Sequence, residues 1–163
     1  MDIEKDLAAI ARQEARLHFK AFDEDTAWAL GSWLRTSAKA RGAAVVIEIR
    51  LARETVFFHA MSGTSAANAD WVRRKRNTVE LLKRSSYATG LALQKEQSYL
   101  EAKMGLPTRD HASHGGSFPI AVEGVGCIGT VTVSGLPQRE DHAMVVQALA
   151  ELCGVPIQEI ALE

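Results

Sequence analysis

Cysteine is nearly absent: Cys127 and Cys153 are the only two in 163 residues, too few and too far apart for a disulfide framework or a zinc knuckle. Each lies in an apolar segment, so both are expected to be buried thiols. No apolar run is long enough to span a membrane, and Met1 to Lys20 carry acids and bases throughout, unlike a signal peptide. A cytoplasmic chain without a membrane partner is expected. Neither charge sign dominates: 19 basic and 20 acidic side chains leave a formal net charge of −1. Such a balance gives no whole-molecule field toward phosphate backbones, and nucleic acid is not an expected partner. Repeats, low-complexity segments, a Walker sequence, HExxH and a GxSxG elbow are also missing.

What is present is ordinary for a globular chain, with 47% hydrophobic and 24% charged residues. The length suits one domain over residues 1–163. Ile3, Leu7, Ile10 and Leu17 recur at helical spacing. Asp23 is placed to cap a second helix through Ala27, Leu30, Leu34 and Ala38, with Phe22 as a hydrophobic staple and Gly42 as its end. Alternation over 45–50 and 56–60 predicts a hairpin. Ser62 to Asn68 then offers a flexible Gly63 and capping hydroxyls at Thr64 and Ser65, opening a helix through Trp71, Val72, Val79 and Leu82.

Ser85 or Ser86 restarts a helix that is expected to run to Met104 and stop at Gly105. Phe118, Ile120 and Val122 alternate, and a Gly124-Val125-Gly126 turn leads into a Thr-rich strand ending at Ser134. Pro137 opens a last helix that buries Val145, Val146, Leu149 and Leu152 and ends at Gly154, and the tail tucks in Ile157 and Ile160. This order favours an α+β fold, an antiparallel four- or five-stranded sheet flanked by helices, over a doubly wound parallel one.

Several residues carry candidate chemistry. Arg73, Arg74, Lys75 and Arg76 are consecutive on a helix and point in four directions, so they form no basic stripe. One or two can reach an anion or a neighbouring subunit, whereas the plain reading is a solvated face with surface ion pairs. Ser62-Gly63-Thr64 before that helix can present N–H groups to a carboxylate or phosphate, although ordinary capping uses the same residues. His111 and His114 have HxxH spacing, but two ligands in a loop make no metal site without a third donor such as His59 or His142, and no metal is assigned. His142 itself reads as a satisfied histidine at the edge of the core. Ser134, Asp141 and His142 make a catalytic set only on paper. Gly115 and Gly116, ahead of Phe118 and Pro119, let backbone come close to whatever occupies the site.

FDEDTAWALG from Phe22, SGTSAANADWVRRKRN from Ser62, RSSYATGL from Arg84, HGGSFPI from His114 and GTVTVSGLPQREDHAMVV from Gly129 together resemble the haem-degrading domain superfamily, in its branch of small proteins. The resemblance implies a profilin- or PAS-like three-layer α/β/α arrangement. Relatives include extracellular haem-binding sensors, glycolate-operon accessory proteins and C-terminal domains of some cobalamin adenosyltransferases. It also implies homo-oligomers, dimers or larger. No axial haem ligand carries over from it to a particular residue, and haem is a possible cofactor only.

The function expected is a homo-oligomeric domain binding a small anionic molecule or haem. The alternatives are an enzyme degrading haem or another tetrapyrrole, and an oligomeric interaction protein without catalysis. The site is expected where Ser62 to Arg76 meets His114 to Pro119. Arg74 or Lys75 would pair with the anion, Asn68 and Thr64 would supply hydrogen bonds, Trp71 an apolar wall, and His114 a donor or an iron ligand. Ser62, Gly63, Gly115, Gly116, Phe118 and Pro119 complete the expected set.

Overall fold

The computed structural model of the chain describes residues 2–163. Helix α1 (Ile3–Arg16) is capped by the Asp2 carboxylate, which accepts from the N–H groups of Glu4 and Lys5. Strand β1 (His18–Phe19) follows, then helix α2 (Glu24–Ala40). Asp23 caps α2 as expected, taking the Thr26 N–H at 2.8 Å, and Phe22 packs edge-on against Phe19 with ring centroids 4.8 Å apart. Strands β2 (Val46–Leu51) and β3 (Glu54–Ala60) form the first hairpin. Its turn uses two left-handed non-glycine residues, Ala52 at φ 48° and Arg53 at φ 68°.

Helix α3 (Ala66–Leu82) starts at Ser65, whose backbone N–H donates to the Asn68 side chain. The next helix departs from expectation. Instead of one rod to Met104 there are α4 (Ser86–Lys95) and α5 (Leu100–Met104), divided where Gln97 adopts φ 53°. No glycine or proline announces that break; the left-handed residue ends α4 and lets Leu100 turn inward, 5% exposed. Strands β4 (Ser117–Val122) and β5 (Gly126–Ser134) lead to helix α6 (Gln138–Cys153) and the short 3-10 turn Ile157–Glu159.

The strands form one five-stranded sheet in the order β1-β4-β5-β2-β3. Pairing is antiparallel except at the β1 edge, where His18 and Phe19 run parallel to Ala121 and Val122, so the sheet is mixed rather than purely antiparallel. The parallel strand is only two residues long and precedes α2, too brief to show as alternation in the sequence.

The two faces of the sheet differ in chemistry. Ile47, Ile49, Phe118, Ile120, Val131 and Val133 point into the main core with Leu30 and Leu34 of α2 and Val145 and Leu149 of α6. Burial of each such side chain contributes about 1.5–3 kcal/mol. The opposite face, under α3, carries Glu48, Thr130, Thr132 and Ser134, all buried. Polar groups there need partners. Ser117 and Thr132 share a hydroxyl hydrogen bond of 2.8 Å, and Arg76 donates to Glu48 at 2.9 Å. Arg50 lies 2.9 Å from Glu80, close enough for charge pairing although misaligned as a hydrogen bond.

Both cysteines are half-buried rather than buried. Cys153 sits near the end of α6, where its surroundings push the thiol pKa up to about 11.

Candidate functional site

The consecutive basic residues of α3 diverge as helical geometry requires, Arg73 into surface ion pairs and Lys75 into the interior. Arg73 bridges Asp70 and Asp110 at 3.0 and 2.9 Å, and its hydrogen bond with Asp110 raises its own pKa and lowers that of the carboxyl. Arg74 holds the Thr108 carbonyl and lies over Trp71, 4.4 Å from the ring centroid. Arg76 faces Glu48. Lys75 turns inward and is 3% exposed.

Past the end of β5, the Lys75 ammonium meets Asp141 of α6 at 2.9 Å, and that carboxylate is 1% exposed. Nζ also donates to the Val133 carbonyl at 3.2 Å and to Ser134 Oγ at 3.3 Å. Asp141 accepts further from the N–H groups of Leu136 and Gly135. Burial pushes Lys75 below the ordinary lysine value and Asp141 above the ordinary aspartate value, each shift being partly offset by the other charge. All three ammonium protons are thereby engaged. The pair anchors the β5–α6 connection to α3 and leaves Lys75 no free donor for an external anion.

At Gly115 and Gly116 backbone and side-chain groups approach too closely for a Cβ. A Cβ on Gly116 would lie 2.3 Å from the Val133 carbonyl oxygen and 2.9 Å from Lys75 Nζ, and its φ is +128°. On Gly115 a Cβ would meet the Gln138 carbonyl oxygen at 2.3 Å. What these glycines admit is the protein's own ion pair and the start of α6.

Beside the pair opens a pocket of ≈ 230 Å³, its wall including Asn68, Trp71, His114, Leu136 and Gln138. Trp71 stands between Arg74 and His114, whose ring meets it edge-on at 4.8 Å. Partial burial against that indole, with Lys75 and Arg74 nearby, lowers the His114 pKa and favours the neutral imidazole. A larger cleft of ≈ 580 Å³ lies between β1, α2 and the end of α6, but its charged side chains His18, Lys20, Asp25 and Glu123 are all exposed. The smaller pocket, backed by a buried charge pair, is the better-built site.

Of the expected residues, the structure brings Asn68, Trp71, Lys75 and His114 together at this pocket, with Arg74 behind Trp71 and Gly115 and Gly116 underneath. Ser62, Gly63 and Thr64 stand outside its wall, in the turn before α3, where Thr64 Oγ1 donates to the Met61 carbonyl. Phe118 is 1% exposed in the core, and Pro119 is buried in β4. Asp141, Ser134, Leu136 and Gln138 belong to the wall and were not in the expected set. An acid in the first turn of a helix is ordinarily explained by the helix dipole, and only the tertiary structure sets Asp141 against Lys75.

The paper triad does not assemble: Ser134 faces Lys75, while His142 bonds Gln13 at 2.8 Å. His142 lies inside the core rather than at its edge, 1% exposed, and burial lowers its pKa to about 3. As for a third donor to His111 and His114, Arg35 donates to His59.

A mixed sheet with one apolar face under α2 and α6 and one polar face under α3, carrying a small pocket at its end, defines the chain as an α+β domain. The chain belongs to the HbpS-like haem-degrading protein family, whose model matches residues 22–150. A UPF0303 protein of Rhizobium meliloti strain 1021 is 57% identical over 100% of this chain and 99% of its own length. Among solved structures, the Ybr137w protein superposes with a TM-score of 0.83 at 27% identity, covering 91% of this chain and 87% of that one. The PduOC–haem complex gives a TM-score of 0.68 at 18% identity over 80% and 94%, a likeness of fold.

Proposed function

We propose that the protein is a small-molecule-binding domain whose ligand occupies the pocket between α3, the 112–116 loop and the start of α6. The observation that carries this reading is the Lys75–Asp141 pair, buried to 3% and 1% exposure directly behind an open pocket. Burying two charges costs several kcal/mol per ion before their attraction is counted. The pair fixes one polar wall of the pocket, holding Ser134 and the β5–α6 connection in place beside the space a ligand would fill.

Haem is the second reading, favoured by the family and by the chemistry of the rim. A pocket of ≈ 230 Å³ lies below the roughly 300 Å³ at which sites for drug-sized ligands begin, and does not enclose a tetrapyrrole. The rim does offer groups that suit one: His114 a neutral imidazole nitrogen, Trp71 an apolar surface, and Arg74 a cation for a carboxylate side chain. Iron held there would supply redox and oxygen-binding chemistry. Titration with haemin, following the Soret band, tests this reading. Saturable binding weakened at least tenfold by His114→Ala is expected, and a non-saturating response equal in both proteins would retire haem. Loss of the band with a reductant and oxygen would mark a degrading enzyme; an unchanged band would mark a binder.

Self-association belongs to the same proposal. It is supported by β3 standing at an edge of the sheet and by Trp28 and Phe58, 68% and 50% exposed, on the adjoining surface.

A further inference from the structure

Two side-chain amides in the pocket wall have their orientation fixed by backbone donors. Asn68 Oδ1 accepts the Ser65 N–H at 2.9 Å, and Gln138 Oε1 accepts the Gly115 N–H at 3.1 Å. A backbone N–H can bond only the oxygen of an amide, so the NH2 ends are identified without ambiguity. Neither NH2 group has a partner among the described residues. The Ser134 hydroxyl, which accepts from Lys75, keeps its own proton to donate. Both Asp141 oxygens are already occupied by Lys75 and two backbone N–H groups. The polar wall therefore offers mainly donors, with one lone-pair site left on Asp141 Oδ1.

The charge nearby is also defined. Lys75 is neutralised by Asp141 and His114 is held toward its neutral form, while Arg74 lies across the Trp71 ring in the neighbouring cleft with Asp70 and Thr108, from where its charge still acts on His114 in the pocket wall. Its Nε and Nη2 bond the Thr108 carbonyl, and Nη1 is unengaged. One cation with a set of neutral donors suits a monoanion. Recognition of a phosphate dianion usually draws on several cations or a nest of backbone N–H groups. Trp71 and Leu136 line the same pocket and provide apolar contact for the rest of the ligand.

We infer that the pocket binds a small monocarboxylate with an apolar body, its carboxylate received by the Asn68 and Gln138 amide NH2 groups and its charge balanced by Arg74. This inference rests on the binding-domain reading and names the ligand class for that site. The two amides are fixed independently in the same wall, Asn68 by the start of α3 and Gln138 by the loop before β4.

Sodium butyrate and sodium benzoate, with benzamide and inorganic phosphate as comparisons, test the inference on the full chain by 15N–1H correlation spectra. The expected result is saturable movement of the Asn68 and Gln138 NH2 signals and the Trp71 indole signal with benzoate. Asn68→Asp and Gln138→Glu keep the oxygen that accepts the backbone N–H, so the fold is retained, but replace the donor by a negative oxygen. Each should weaken benzoate binding at least tenfold and shift the preference from benzoate toward benzamide, whose own NH2 can donate to the new carboxylate. Should either variant lose its fold, the other and the wild-type shifts decide. Signals that move with benzamide or haemin but not with carboxylates would overturn the carboxylate assignment while the binding reading survives. Tighter binding of phosphate than of benzoate would also overturn it. Silence from this pocket with every probe would remove both.

Discussion

His142 shows what a single buried titratable residue does to the whole. Its imidazole is 1% exposed, bonded through Nε2 to Gln13, and its pKa is lowered to about 3. In the unfolded chain it takes a proton near pH 6.5. Between those values the unfolded state binds the extra proton, so stability falls as pH drops from about 6.5 to about 3 and this contribution is spent below that. The loss amounts to on the order of 5 kcal/mol at about 1.4 kcal/mol per unit. Denaturant melts across this range should show the slope, and His142→Gln, though less stable at neutral pH, should flatten it. Gly116 makes a second prediction at the same scale. Gly116→Ala drives a Cβ against the Val133 carbonyl oxygen and Lys75 Nζ, whereas Gly42→Ala, at φ +66° with open space around it, meets only the backbone penalty. Chemical denaturation should give about 3 kcal/mol or more for the first and about 1 kcal/mol for the second.

At the scale of elements, α3 is held by charges rather than by an apolar stripe. Its buried positions are Val72, Lys75, Thr78 and Val79, and the sheet beneath it presents hydroxyls and Glu48. Removing one partner of a buried pair strands the other. Lys75→Met alone should therefore cost about 3–5 kcal/mol, and joining it with Asp141→Leu should restore most of the loss. A double-mutant cycle measured by denaturation checks the coupling. Helical periodicity already showed that four consecutive basic residues diverge. The four destinations, Asp110 and Thr108 in one loop, Asp141 on α6 and Glu48 on β2, come from three separate segments and were not legible. The break at Gln97 was hidden for a related reason: a left-handed glutamine looks, in sequence, like any polar residue of a helix.

For the whole molecule, the sheet closes one edge with the short β1 and leaves the other to β3. An edge strand beside an exposed Trp28 and Phe58 is a place for a second copy of the chain to pair. Size-exclusion light scattering should show an oligomer that Phe58→Lys converts to a smaller species with an unchanged melting profile. A monomeric wild type would end this part of the proposal. Among the described residues no helix is long and apolar enough to cross a membrane.

The sequence alone determined the parts whose causes are local. The α2 cap at Asp23, the α3 start at Ser65, the glycine stops at Gly105 and Gly154 and both hairpins follow from capping chemistry and from periods of 3.6 and 2. It also pointed to Asn68, Trp71, Lys75 and His114, because a glycine and hydroxyl turn, a basic run and a histidine–glycine loop stand out by composition. Only the tertiary structure decided what those residues do. It turned Lys75 inward onto Asp141, 66 positions away, put Phe118 in the core, and set the Asn68 and Gln138 amides on one pocket. The reason is physical: a side chain's charge and hydrogen bonds depend on which distant group reaches it, and that is fixed by packing rather than by neighbours in the chain.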